Sequence, residues 1–113
     1  MPIADEPFVY VTTTGRTTGK PRQIEIWFVV RAGCIYILAE HGRNAQWVKN
    51  ILRDPRVKVR LAGLAFDATA RVLDAQADAD TWRAAQDLAR AKYGWGDGLP
   101  VEIRPDATFA ELA

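Results

Sequence analysis

The sequence predicts a mainly β fold of the α+β kind: a small antiparallel barrel or strongly curved sheet with two covering helices. Three observations lead there. Most apolar segments alternate with period two, as half-buried strands do. Short glycine-containing turns join several of them as hairpins. The element order is three strands, a helix, two strands, a helix and a last short strand, which lacks the strand–helix alternation of a parallel sheet. The chain of 113 residues fits one domain, residues 1–113, and its 49% apolar content is enough for a core.

Phe8 to Thr14 forms the first strand. Arg22 to Val30 forms the second, with Ile24, Ile26, Phe28 and Val30 on one apolar face and Gln23, Glu25 and Trp27 on the other. Glu25 beside Trp27 is compatible with a cavity wall, a subunit interface or an exposed edge. Arg31-Ala32-Gly33 turns the chain into a third strand, Cys34 to Ala39. After the polar loop Glu40-His41-Gly42-Arg43, Asn44 caps a helix that runs to about Asp54 and buries Trp47, Val48, Ile51 and Leu52; Pro55 stops it. Arg56 to Leu61 alternates, with Val57, Val59 and Leu61 inward and Arg56, Lys58 and Arg60 outward. Ala65 to Leu73 follows as a longer strand. Asp78 or Asp80 caps a second helix that ends near Tyr93, with Trp82, Ala85, Ala89 and Tyr93 on one face. Glycines 94, 96 and 98 surround Trp95, residues 100–104 add a short strand, and Asp106 to Ala113 is a loosely held tail.

The most informative stretch is Thr12 to Arg22. Threonines, two glycines and three cations fall within one hairpin loop. Gly15 and Gly19 permit positive φ and close backbone approach. Arg16, Lys20 and Arg22 supply charge, and the threonines and backbone N–H groups supply donors, a combination suited to a phosphate or another anion. Arg43 lies beside the N-terminus of the first helix, where free N–H groups also favour anions, so it and the loop can approach one ligand from two sides. The stripe Arg56, Lys58, Arg60 is most simply a solvated face, and such a run also suits a polyanionic tail.

Other chemistries are poorly served. A formal net charge of +1 gives no global reason to bind nucleic acid. One histidine, one cysteine and no HxxxH or CxxC spacing argue against a metal site. The absence of serine excludes a Ser-His-Asp triad. Nothing in the spacing brings Cys34 and His41 together as a dyad; Cys34 reads as a small buried hydrophobe. No run approaches the ~18 apolar residues of a membrane span, and the N-terminal residues lack the basic and apolar regions of a signal peptide. A cytoplasmic protein is expected, consistent with its lone cysteine.

Three segments resemble the deazaflavin-dependent nitroreductase and quinone reductase family, split β-barrel proteins related to flavin-binding oxidases. They are TTTGRTTGKPRQIEIWFV (12–29), ILAEHGRNAQWVKNILRDPRVKVRL (37–61) and AKYGWGDGLPVEIRP (91–105). The resemblance implies the cofactor F420, a deazaflavin with a phospholactyl-oligoglutamate side chain. By position, the phosphate falls to Arg16, Thr17, Thr18, Lys20 and Arg22. The loop Ala39, Glu40, His41 and Gly42 approaches the ring, Arg43 stands beside it, and Gln46 and Trp47 follow at the helix start. Where relatives often carry lysine after the first arginine, this chain has Thr17. The implied activity is hydride transfer from reduced F420 to a quinone, enone or similar conjugated acceptor, with the chemistry supplied by the cofactor. Trp27, Tyr36, Trp47 and Trp95 are candidate pocket walls. Water, His41 and Tyr93 are the candidate proton sources. FMN-dependent oxidoreduction and a non-catalytic cofactor carrier are the alternatives. The resemblance also implies a homodimer.

Overall fold

The computed structural model describes residues 3–112. Strand β1 (Val9–Thr14) follows its alternation, burying Val9, Val11 and Thr13. It pairs antiparallel with β2 (Pro21–Ile26), Val9 opposite Ile26 and Thr14 opposite Pro21. The expected single strand from Arg22 to Val30 is in fact two. Its second half, β3 (Val29–Arg31), pairs with β4 (Cys34–Ala39) instead. The remaining strands are β5 (Arg56–Leu61), β6 (Leu64–Val72) and β7 (Leu99–Pro105). The helices are α1 (Gln46–Arg53) and α2 (Ala79–Tyr93).

All pairings are antiparallel, and the sheet order is β2-β1-β5-β6-β7-β4-β3. β2 and β3 therefore stand at opposite ends of the sheet while only Trp27 and Phe28 separate them in sequence. Three residue steps reach roughly 10 Å. The two ends must therefore meet, and the sheet curls into a barrel that is open between its edge strands. The break leaves the Phe28 N–H outside the strand ladder. The Phe28 N–H, which a continuous strand would give to a neighbour, donates to the Tyr93 hydroxyl at 3.1 Å.

Inside the curl lies the larger core, built from Val9, Val11, Ile35, Ile37, Val59 and Ile103 among others and stoppered by Val48 and Ile51 of α1. On the other face, α2 lays Ala85 and Ala89 over Val29, Tyr36, Leu38 and Leu73, with Trp82, Tyr93 and Trp95 at the margin. Gly94 closes α2 with φ +77°, the left-handed conformation that favours glycine.

Three further expectations need correction. Ala45, not Asn44, is the α1 N-cap, and it makes no side-chain cap bond; Asn44 lies in a short 3-10 turn, Gly42–Asn44. Leu52 is 53% exposed, and the polar Asn50 shares the buried face of α1 with Val48 and Ile51. The C-terminal segment is held rather than loose. Phe109 packs on Phe66 with ring centroids 4.7 Å apart, and the buried Leu112 accepts a 2.9 Å backbone bond from Gly33. Ala113 lies outside the described residues.

Candidate functional site

The loop between β1 and β2 closes on itself. The Gly15 N–H donates to the Lys20 carbonyl and the Gly19 N–H to the Gly15 carbonyl, each at 2.8 Å. Gly19 takes φ +73°, and a side chain at Gly15 would press on Thr18 Oγ1 and the Lys20 carbonyl at about 3 Å. Thr18 Oγ1 accepts the Lys20 N–H at 3.2 Å. Both glycines of the sequence motif are thus required by the turn itself, whatever it binds.

The loop is fastened to α1 through Asn50. Its Oδ1 accepts the Arg16 backbone N–H at 3.2 Å and Arg16 Nη1 at 2.9 Å. Its Nδ2 donates to the buried Thr13 Oγ1 at 3.1 Å. Arg16 Nη2 also donates to Gln46 Oε1 at 2.6 Å, and the second Nη1–H reaches the Gln46 carbonyl at 3.4 Å. Every acceptor here is neutral. The guanidinium is held in place while its charge stays uncompensated, with Nε–H and one Nη2–H left over. Among the described residues no carboxylate forms an ion pair with Arg16, Lys20 or Arg22, whereas Arg56, Lys58, Arg71 and Arg90 all have acidic partners. Asn50 was not singled out from the sequence. Its signal was a polar residue on an otherwise apolar helix stripe.

Two depressions meet at Trp47. One, of ≈ 500 Å³, is lined by Arg16, Thr17, Thr18, Arg22, Gln46 and Asn50 with their neighbours. The other, of ≈ 600 Å³, is walled by Phe8, Trp27, Leu38, Trp47 and Trp95 and carries Glu25, Glu40 and His41. Together they make a groove along the edge strand β2, cationic at one end and aromatic at the other. The amides of Gln46, Trp47 and Val48 open α1 without intrahelical partners beside it.

The structure thus brings together Arg16, Thr17, Thr18, Arg22, Gln46 and Trp47 at one end and Glu40 and His41 at the other. Lys20 is exposed on the same loop. Ala39 is buried under the Gly98 turn, while Gly42 (φ +57°) and the exposed Arg43 form the next turn; none of these lines either depression. Cys34 is buried at the far end of β4 from the exposed His41, so the two do not form a dyad.

Tyr93 occupies a different environment. Its ring stacks on Trp27 at 4.5 Å with an interplanar angle of 2°. Its hydroxyl accepts the Phe28 N–H and has the Pro7 and Phe28 carbonyls at 2.8 and 3.0 Å. Burial raises its pKa. Lys92 beside it donates to the Glu6 and Phe28 carbonyls at 2.7 and 3.1 Å, and burial lowers its pKa. These two side chains clasp the N-terminal segment to the barrel seam. They set the outer wall of the aromatic cleft through Trp27 and Phe8.

A family model described as F420H(2)-dependent quinone reductase matches residues 1–103. Among solved structures, an F420-H2 dependent reductase (FDR-A) shares 27% identity over 87% of this chain and 93% of its own, with a TM-score of 0.66. A protein described as a domain-swapped dimer shares 28% identity over 88% of this chain and 80% of its own, with a TM-score of 0.63. The haem storage protein HutZ from Vibrio cholerae aligns with a TM-score of 0.74 over 93% of this chain and 86% of its own; at 17% identity that likeness speaks to the fold alone.

Proposed function

The chain belongs to the F420H(2)-dependent quinone reductase family, and from that premise we propose that the groove along β2 holds F420 with its phosphate at the Gly15–Lys20 loop and its ring toward the aromatic cleft. The chain is an F420H2-dependent reductase. The single observation that carries the site assignment is Arg16, anchored on Asn50 and Gln46 by neutral acceptors and left with an uncompensated charge at the mouth of a cavity.

The donor set fits the cofactor. A phosphodiester needs convergent N–H donors and unpaired cations, which Arg16, Lys20, Arg22, Thr17 and Thr18 provide. A deazaflavin ring needs a flat apolar slot, which Trp27, Trp47 and Trp95 wall. When bound, F420 supplies the hydride. The chain's own contribution is to fix the side chain electrostatically, to orient the ring and to keep the acceptor side apolar. His41 lines the cleft and is the side chain we assign to proton delivery, together with water. The Tyr93 proton is committed to backbone carbonyls.

The acceptor is a quinone or similar conjugated carbonyl, matched to the aromatic cleft. The test is loss of reduced-F420 absorbance features with menadione as acceptor: turnover supports the reading, and no turnover with menadione or a cyclic enone defeats the acceptor assignment. A flavin phosphate would meet the same donors, and oxygen reactivity of the loaded protein separates the two cofactors. No helix among the described residues is long and apolar enough to cross a membrane, and we place the protein in the cytoplasm. A homodimer is our reading of its assembly, supported by the half-exposed Phe8 and Trp27 at the seam and by the dimeric relative; light scattering of the purified chain checks it.

A further inference from the structure

We propose that the oligoglutamate tail of the cofactor leaves the phosphate loop through a second depression, between that loop and the C-terminal end of α1, with Arg53 as its cation. The basic face of β5 then plays no part in tail binding. The inference rests on the F420 reading and assigns the part of the ligand that the loop and cleft do not accommodate.

The path is continuous. The ≈ 500 Å³ depression of the phosphate loop shares Gly15 and Arg16 with a neighbouring one of ≈ 310 Å³. The latter is completed by Thr14, Gly19, Arg53 and Asp54. A chain of carboxylates attached to a phosphate at the loop has three ways to run: back into the aromatic cleft beside Glu25 and Glu40, onward past Arg53, or over the face of β5. The first is electrostatically opposed and also occupied by the ring.

Charge accounting favours the second. Arg53 is exposed and, among the described residues, in no ion pair. Arg16, at the junction, is held by neutral acceptors. Asp54 also lines the depression, with its Oδ1 accepting the Arg56 N–H at 3.1 Å. Counting Arg16 and Arg53 against Asp54, the depression is net cationic.

The rival surface lies just beyond, in a ≈ 270 Å³ depression that includes Arg56, Lys58 and Asp67. Its cations are occupied. Arg56 donates to both Asp106 oxygens at 3.0 and 2.5 Å and to Thr69 Oγ1 at 2.7 Å. Lys58 meets Asp67 at 2.9 Å. The Arg60 guanidinium lies 4.2 Å from the centre of the Tyr10 ring, whose hydroxyl is bonded to Glu25. A tail there would have to displace internal partners before gaining its own.

The experiment compares binding of F420 carrying several glutamates with binding of the phospholactate form carrying none. It follows tryptophan fluorescence in the unmodified protein, Arg53→Gln and Lys58→Gln. An exposed ion pair is worth roughly two- to five-fold in affinity. The tailed cofactor is therefore expected to bind the unmodified protein tighter by that factor, less so in high salt. Arg53→Gln removes the difference and leaves the tail-less form unchanged; Lys58→Gln keeps the difference. A tail preference that survives Arg53→Gln, disappears in Lys58→Gln, or is absent from the unmodified protein overturns the proposal. If neither form binds the unmodified protein, the F420 reading itself has failed. That outcome is distinct from tight binding without tail preference, which refutes the Arg53 assignment alone.

Discussion

Arg16 and Lys20 sit in a turn with Arg22 just past it at the start of β2, and Arg56, Lys58 and Arg60 sit in β5; the two triplets have the same charge and opposite fates. β5 runs between β1 and β6, so each of its cations has a cross-strand neighbour fixed by register: Arg56 opposite Thr69, Lys58 opposite Asp67, Arg60 opposite Tyr10. Each binds what stands opposite, with Asp106 completing the set. The β1–β2 loop projects past the end of the sheet, where no strand supplies a carboxylate. Its anchoring falls to α1, which offers only the neutral oxygens of Gln46 and Asn50. The charges of β5 are consumed by the fold, whereas among the described residues those of the loop, and of Arg22 beside it, have no acidic partner.

That contrast is most strongly exposed by mutating one triplet and then the other. Arg16→Ala and Lys20→Ala should each weaken F420 binding by about 1.5–3 kcal/mol for the charge-assisted bond lost, with Arg16→Ala the larger because it also frees Asn50. Arg56→Ala should leave the affinity unchanged, and equal losses in both triplets would erase the distinction. Next in size, Asn50→Ala leaves the buried Thr13 hydroxyl and the Arg16 amide without their partner. Urea unfolding should show a loss of roughly 1–3 kcal/mol, accompanied by weaker cofactor binding; a stability loss with unchanged affinity would mean that Asn50 serves the fold only. Tyr93→Phe tests the clasp. It should cost about 0.5–1.5 kcal/mol of stability through its hydroxyl bonds while turnover is retained, and a collapse of turnover at unchanged stability would return Tyr93 to the chemistry.

The smallest effect is on the acid limb. Arg71 holds the Asp78 carboxyl below the usual range, Arg56 does the same to Asp106, and the backbone N–H groups of Ala77 and Gln76 do so to Asp74. A carboxylate with a depressed folded pKa contributes stability above its unfolded value near 4 that is lost as pH falls through the folded value. Thermal unfolding should therefore be level at pH 5–7 and decline below about pH 4. Asp78→Asn should make the decline shallower. An unaltered profile in that variant would show that the pair contributes nothing.

Much of this fold was written in local pattern. The alternation of Val57, Val59 and Leu61 and the helical stripe of Trp82, Ala85, Ala89 and Tyr93 are short-range signals that packing obeyed. The break at Trp27 was not legible, because Ile24, Ile26, Phe28 and Val30 continue one face across it. At the interruption the Phe28 N–H finds its partner in a hydroxyl on Tyr93, 65 residues away. Residues 100–104 read as a last short strand with no place assigned in the sheet; the strand sits between β6 and β4, a position set by long-range pairing. The loop proposed to hold the cofactor phosphate was legible as a cluster of glycines, threonines and cations. Its anchoring was not, since Asn50 acquires its role only when α1 docks against β1. Nor could sequence distinguish free from paired cations, which is a property of register.

The most direct test of the central claim is a titration of the apoprotein with F420 and, separately, with FMN, followed by tryptophan fluorescence, since Trp47 lies in both depressions and Trp27 and Trp95 line the cleft. The account predicts saturable quenching by F420 at micromolar concentration and weaker binding of FMN, with the F420 response weakened in Arg16→Ala. Preference for FMN, or an F420 affinity indifferent to Arg16, would contradict it.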